Sequence, residues 1–273
     1  MKIQTTIFAI LLAGACLQSC QNNPKNTEQT TAAPSIQTID FKVKATYPHD
    51  KTLFTEGLLV HKGELIESTG SPEEMERART LIGKIDLKTG KMDVKVELDK
   101  SKYFGEGIAV LNDKLYQLTY KNREGFVYDA NTFKKLGGFK YDNLEGWGLT
   151  TDGKQLIMSD GTSTITFLDP ESLQPVRTIN VTKYGESEQL INELEYIKGF
   201  IYANVWLSNF IVKIDPANGK IVGRLNLGSV FTMERSENTL GGEMNGIAYD
   251  PKTDKVYITG KLWEHVYEIE FAK

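Results

Sequence analysis

Residues 56–66 read EGLLVHKGELI, and residues 106–116 read EGIAVLNDKLY. The two align without a gap. So do residues 147–157, WGLTTDGKQLI, and residues 192–202, NELEYIKGFIY. A fifth copy at residues 245–257, NGIAYDPKTDKVY, has a turn two residues longer. Each copy is a pair of short apolar runs around a tight turn such as Lys-Gly, Asn-Asp or Asp-Gly, which reads as a β-hairpin. Each then continues into a third run with an acidic turn: Gly83–Asp86, Gly125–Asp129, Ile165–Asp169, Ile211–Asp215 and Val266–Ile269. The copies start 50, 41, 45 and 53 residues apart, the length of a four-stranded propeller blade. The expected fold is therefore all-β, a five-bladed β-propeller. The fifth copy runs out after three strands. The segment Ile36–Thr46 alternates through Ile39, Phe41, Val43 and Ala45, and is expected to supply the missing outer strand and close the ring. A β-sandwich is the alternative, and the repeat disfavours it.

Outward from the repeat, the composition sets limits. Lys plus Arg is 32 and Asp plus Glu is 36, a net charge of −4, which argues against a nucleic-acid partner. Three His and two Cys exclude a metal site built on Cys/His clusters. Near the N-terminus, Lys2 precedes an apolar run from Ile7 to Leu17, too short for a membrane span. It ends in Leu17-Gln18-Ser19-Cys20, which resembles the bacterial lipoprotein processing box. That resemblance implies a signal peptide over residues 1–19 and a lipid on Cys20. Residues 20–35 are rich in Asn, Thr, Gln, Pro and Ala and read as a tether. Residues 36–273 are then one propeller domain, lipid-anchored in the bacterial cell envelope and facing the periplasm or the surface. A monomer is expected.

In a propeller the first strand of each blade lines the central channel, so equivalent positions share one mouth. The position opening strand one reads Glu56, Glu106, Trp147, Asn192, Asn245. The position just past strand two reads Gly70, Tyr120, Gly161, Trp206, Lys261. A core position would repeat Leu, Val or Ile. Here two carboxylates, two carboxamides, a lysine and three large aromatics converge instead. Apolar walls with a few placed polar groups are the anatomy of a small-molecule site.

The blocks Phe54–Leu58, Phe104–Gly107, Leu118–Tyr120, Glu145–Leu149, Ile191–Tyr196, Asn204–Trp206 and Thr259–Trp263 resemble the plant-type glutaminyl-peptide cyclotransferases. The resemblance runs from about Tyr47 to the C-terminus. It implies a five-bladed propeller that cyclises the N-terminal Gln of peptides to pyroglutamate with release of ammonia. It places the catalytic glutamate on Glu106, the pocket tryptophans on Trp147 and Trp206, and the polar pocket residues on Asn192 and Lys261. Two positions depart from the pattern: Glu56 stands where Gln is frequent, and Tyr120 where Trp is frequent.

The residue types suit that chemistry. Folding a Gln side chain back on its own amine is an orientation problem, which Trp147, Trp206 and Tyr120 can help solve as rigid walls. Glu106 can take the amine's proton and return it to the leaving nitrogen. Asn192 and Lys261 can donate to the amide oxygen, and Glu56 can hold the substrate ammonium. No cofactor is required, and a structural calcium in the channel is compatible with the reading. Two other readings stay open. One is a binding propeller for peptides or sugars with no chemistry. The other is a metal-dependent propeller hydrolase such as a lactonase, with Glu56, Glu106, Asn192 and Asn245 as nominal ligands.

Overall fold

The computed structural model describes residues 36–273. The signal segment, the tether and Cys20 lie outside those residues. Five antiparallel sheets follow one another along the chain. Blade one is Thr55–His61, Glu64–Thr69, Thr80–Ile85 and Met92–Leu98. Blade two is Gly105–Leu111, Lys114–Thr119, Glu124–Asp129 and Lys135–Lys140. Blade three is Leu149–Thr151, Leu156–Ser159, Thr164–Leu168 and Pro175–Asn180. Blade four is Ile191–Ile197, Phe200–Val205, Phe210–Ile214 and Ile221–Asn226. Blade five is Met244–Asp250, Lys255–Gly260 and His265–Phe271, with Phe41–Pro48 as its outer strand.

The ring closes as expected, with one difference of register. The closing strand is Phe41–Pro48, running antiparallel from Phe41 opposite Phe271 to Pro48 opposite His265. The residues before it do not join blade five. Gln37 and Thr38 pair in parallel with Gly223 and Arg224 of blade four, and Ile39 is buried between the two blades. The alternation from Ile36 onward was thus one pattern serving two sheets.

The core is five clusters, one at each blade junction. Leu59, Ile66 and Ile82 meet Ile108, Leu115 and Phe126 between blades one and two. Leu58, Leu65 and Leu81 meet Ala248, Tyr257 and Val266 where blade five returns to blade one. The acidic turns hold the outer hairpins. Asp86, Asp129, Asp169 and Asp215 each accept a backbone N–H from two residues on, the Asx turn that short acidic side chains favour.

Two elements had no counterpart in the sequence reading, the small hairpin that pairs Thr182–Lys183 with Glu186–Ser187 and a helix. An α-helix, α1, spans Gly228–Glu237 between blades four and five. Among the described residues no helix is long and apolar enough to cross a membrane.

The inner strands approach so closely that side chains are excluded. A Cβ on Gly107 would lie 2.4 Å from the Leu149 nitrogen, and one on Gly148 would lie 2.2 Å from the Asn192 carbonyl oxygen. At the same step blade four carries Glu193. Its carboxyl crosses the channel and accepts Leu58 N at 3.3 Å and Ile247 N at 2.8 Å. Two residues on, Glu195 accepts Tyr249 N at 2.8 Å and the Thr150 hydroxyl at 3.0 Å. One strand of blade four therefore ties blades one, three and five together through the channel.

Candidate active site

Four of the five inner strands begin with a break in register. The pairing shifts between Thr55 and Gly57, Gly105 and Ile108, Ile191 and Leu194, and Met244 and Ile247. Such bulges re-aim a side chain out of the pleat. They fall on Glu56, Glu106, Asn192 and Asn245. In blade three the strand starts later, at Leu149, and Trp147 precedes it. The mouth residues are thus turned towards a common space by a repeated backbone irregularity.

That space is a cavity of about 170 Å³ lined by Glu56, Glu106, Tyr120, Trp147, Asn192, Trp206 and Lys261, with Phe54, Pro72 and Phe104 completing it. All seven site residues expected in the domain line it. Asn245 does not. It stands behind Glu56, donating from Nδ2 to the Glu56 carboxylate and to the Thr55 carbonyl, each at 3.0 Å.

Trp147 and Trp206 meet edge to face, with centroids 5.5 Å apart and planes at 89°. Trp147 is fixed from behind by Glu145, whose carboxylate accepts its indole N–H at 2.9 Å. The two glycines in the second ring of mouth positions make room for aromatics. A Cβ on Gly161 would fall 2.5 Å from the Trp147 ring, and one on Gly70 would fall 2.1 Å from the Phe104 ring. Phe104 in turn packs against Tyr120, centroids 5.7 Å apart. Sequence reasoning missed Phe54, Phe104, Pro72 and Glu145, although Phe54, Phe104 and Glu145 stand inside the blocks quoted above. The glycines at 70 and 161 were the available signal, since a residue without a side chain at a mouth position implies a neighbour that fills the space.

Glu56 and Lys261 are found with a different partner from those expected. Lys261 Nζ lies 2.8 Å from Glu56 Oε1, both side chains almost wholly buried, and 4.6 Å from the centre of the Phe54 ring. Both Glu56 oxygens are therefore engaged, one by Lys261 and one by Asn245. Glu56 anchors the lysine, and each of its oxygens already accepts one hydrogen bond. Burial pushes the Glu56 carboxyl up to about 7 against the pull of Lys261. For Lys261 burial acts to lower the ammonium, and Glu56 and Glu106 outweigh it, leaving it above the ordinary lysine value.

Glu106 is the carboxyl left over. Burial, then the charge of Glu56, raises it well above the ordinary glutamate value. Beside it, the Asn192 side-chain oxygen is buried with no hydrogen-bond partner among the described residues. An unpaired buried carboxamide is costly and here faces the cavity, where a ligand can satisfy it.

A second buried group supports the site from below. His49 Nε2 lies 2.9 Å from Glu67 Oε2, its Nδ1 lies 2.8 Å from the Trp263 carbonyl oxygen, and Glu67 Oε1 accepts the Thr55 hydroxyl at 2.7 Å. This links the residue that follows the closing strand to Thr55, next to Glu56, and to Trp263, two residues past Lys261.

Among the described residues no three His, Cys, Asp or Glu side chains gather as a ligand set. The channel oxygens of Glu193 and Glu195 accept N–H and O–H donors.

Comparison with known proteins agrees with this geometry. The family model described as glutamine cyclotransferase matches residues 11–271. A glutaminyl-peptide cyclotransferase of Arabidopsis thaliana is 37% identical over 241 residues, 86% of this chain and 72% of the plant protein. The crystal structure of Myxococcus xanthus glutaminyl cyclase superposes with a TM-score of 0.79 at 30% identity, covering 87% of this chain and 98% of that one. The chain belongs to the glutamine cyclotransferase family.

Proposed function

We propose that the chain is a glutaminyl-peptide cyclotransferase, closing the N-terminal Gln of a peptide to pyroglutamate with loss of ammonia. The observation that carries this reading is Glu106, a buried carboxyl facing a Trp-walled cavity with its proton affinity raised. The reaction forms a bond from the α-nitrogen to the side-chain amide carbon and breaks the bond to the amide nitrogen. The attacking nitrogen must shed a proton, and the departing nitrogen must gain one. Glu106 in its carboxylate form takes the first and returns it as the second. A carboxyl whose affinity has been brought towards that of an amine suits both transfers. Trp147, Trp206 and Tyr120 hold the side chain folded. The Asn192 Nδ2 donor and the Lys261 ammonium, with donors left after Glu56, serve the developing charge on the amide oxygen, while the unpaired Asn192 Oδ1 can accept from a substrate N–H. No metal or cofactor enters this scheme.

The same reading places the protein in the bacterial cell envelope, anchored by a lipid on Cys20 after loss of residues 1–19, as a monomer acting on peptides or proteins with N-terminal Gln. The lipoprotein-like ending at Cys20 supports the location.

The test is ammonia loss from a short Gln-peptide, followed by mass spectrometry against a blank. The wild-type chain should accelerate it, and Glu106→Gln should reduce turnover about 10²–10⁴-fold with the fold intact. Equal rates in the two proteins would remove Glu106 from the mechanism. A folded wild type no faster than the blank would leave a binding propeller as the reading.

A further inference from the structure

The cavity does not end at its aromatic wall. Pro72, Phe104 and Tyr120 also line a second hollow of about 530 Å³. The shared residues set the two hollows side by side. One wall of the outer hollow is Ser71, Glu73 and Glu74, and the other is Lys100, Lys102, Lys121 and Asn122. Lys121 lies 4.5 Å over the Tyr120 ring, at the boundary between the two hollows. Lys100 donates to the carbonyls of Glu76 and Ala78, which ties the two walls together. Lys102 is 68% exposed, with Asp99 at 3.5 Å.

A peptide whose Gln side chain and amine occupy the inner cavity must lead its second and third residues out of it. The sill of Pro72, Phe104 and Tyr120 is apolar and passes a main chain without demanding a partner. Beyond the sill the lining carries the ammonium groups of Lys102 and Lys121, the latter 4.0 Å from Glu145, on one wall and the carboxylates of Glu73 and Glu74 on the other, with Lys100 held between them by its carbonyl bonds. A carboxylate is drawn to the first and turned from the second. We propose that this outer hollow binds residues two and three of the substrate and selects an acidic side chain there. The inference rests on the cyclotransferase reading and adds its substrate preference.

The test compares glutamine amide with three Gln-peptides carrying Asp, Ala or Lys at positions two and three. The Asp peptide should show a KM about threefold or more below the Ala peptide, the scale of exposed ion pairs. The preference should shrink in about 0.5 M salt, where such pairs are screened. Lys102→Glu should abolish it, Lys102→Arg should keep it, and both should turn over glutamine amide as wild type does. Equal KM values for the three peptides, a preference for Lys, or an unchanged preference in Lys102→Glu would overturn the proposal. Turnover of glutamine amide alongside any of these would leave the reaction standing and the outer site refuted. No turnover of any substrate would refute both.

Discussion

Lys261 and Glu56 can be buried because each has the other. Taking two charges out of water is costly, and their attraction at 2.8 Å roughly repays that cost when further hydrogen bonds complete the shell. Asn245 supplies one such bond. Removing one partner leaves the other uncompensated. Lys261→Met is expected to lose about 3–5 kcal/mol in urea unfolding, and Glu56→Gln combined with Lys261→Met to lose less than the single lysine variant, since no lone charge remains. A cycle that closes additively would show that the two are not coupled. At this scale the sequence named the residues but not their relations. Glu56 and Lys261 are 205 positions apart, and identity alone gives no sign of which carboxylate holds the lysine and which is left to the chemistry. That choice depends on Asn245 and on the bulges that aim each side chain.

Strands were legible because each hairpin carries its own signal: an alternating run, a tight turn, and an Asp to cap the next one. Ring closure was legible to within five residues, and the miss has a cause. Residues 36–46 were read as one alternating run, while Gln37 and Thr38 answer to blade four and only Phe41 onward to blade five. Helix α1 was not legible. Its only buried residues are Val230 and Glu234. Its first N–H is met by the Asn226 side chain, two residues before Gly228, so no capping box marks it. What holds the helix is a polar clasp. The buried Glu234 carboxylate accepts from the Tyr267 hydroxyl at 2.8 Å, lies 3.0 Å from His265 Nδ1, and accepts the Glu264 N–H. These partners follow Lys261 directly along the chain, so the helix braces the segment that carries the site lysine. Glu234→Ala would leave a buried tyrosine hydroxyl and a backbone N–H unpaired, at about 1–3 kcal/mol. Thermal unfolding should show a clear drop for Glu234→Ala and a smaller one for Glu234→Gln, which keeps an acceptor. An unshifted melting temperature in the alanine variant would mean the clasp holds nothing.

The whole ring is a device for burying carboxyls at its axis, and this sets how its stability follows pH. Burial raises Glu193 well above, and Glu195 to about 8 from, the ordinary glutamate value of 4.5. Glu56 and Glu106 are raised in the same direction. Each such group keeps its proton in the folded ring after the unfolded chain has lost its own. Between about pH 4.5 and pH 8 the unfolded state therefore binds fewer protons, and stability must fall as pH rises through that interval. His49 acts with the same sign: burial opposes its charge, Glu67 more than restores it, and the raised value means stability present at low pH is lost as the ring nitrogen deprotonates. The surface aspartates oppose this only in more acidic solution. Asp86, Asp129 and Asp169 are lowered by their turn hydrogen bonds, so their contribution is full above the ordinary aspartate range and disappears below it. Urea midpoints should therefore be higher near pH 5.5 than near pH 8.5. Glu195→Gln removes one titrating carboxyl from the axis while keeping an acceptor for Tyr249 N, so its midpoint should change less between the two pH values. A wild type equally stable at both, or a Glu195→Gln variant with the full wild-type slope, would mean that the axial carboxyls are ionised in the folded ring and that the bonds from Leu58, Ile247 and Tyr249 hold them as anions.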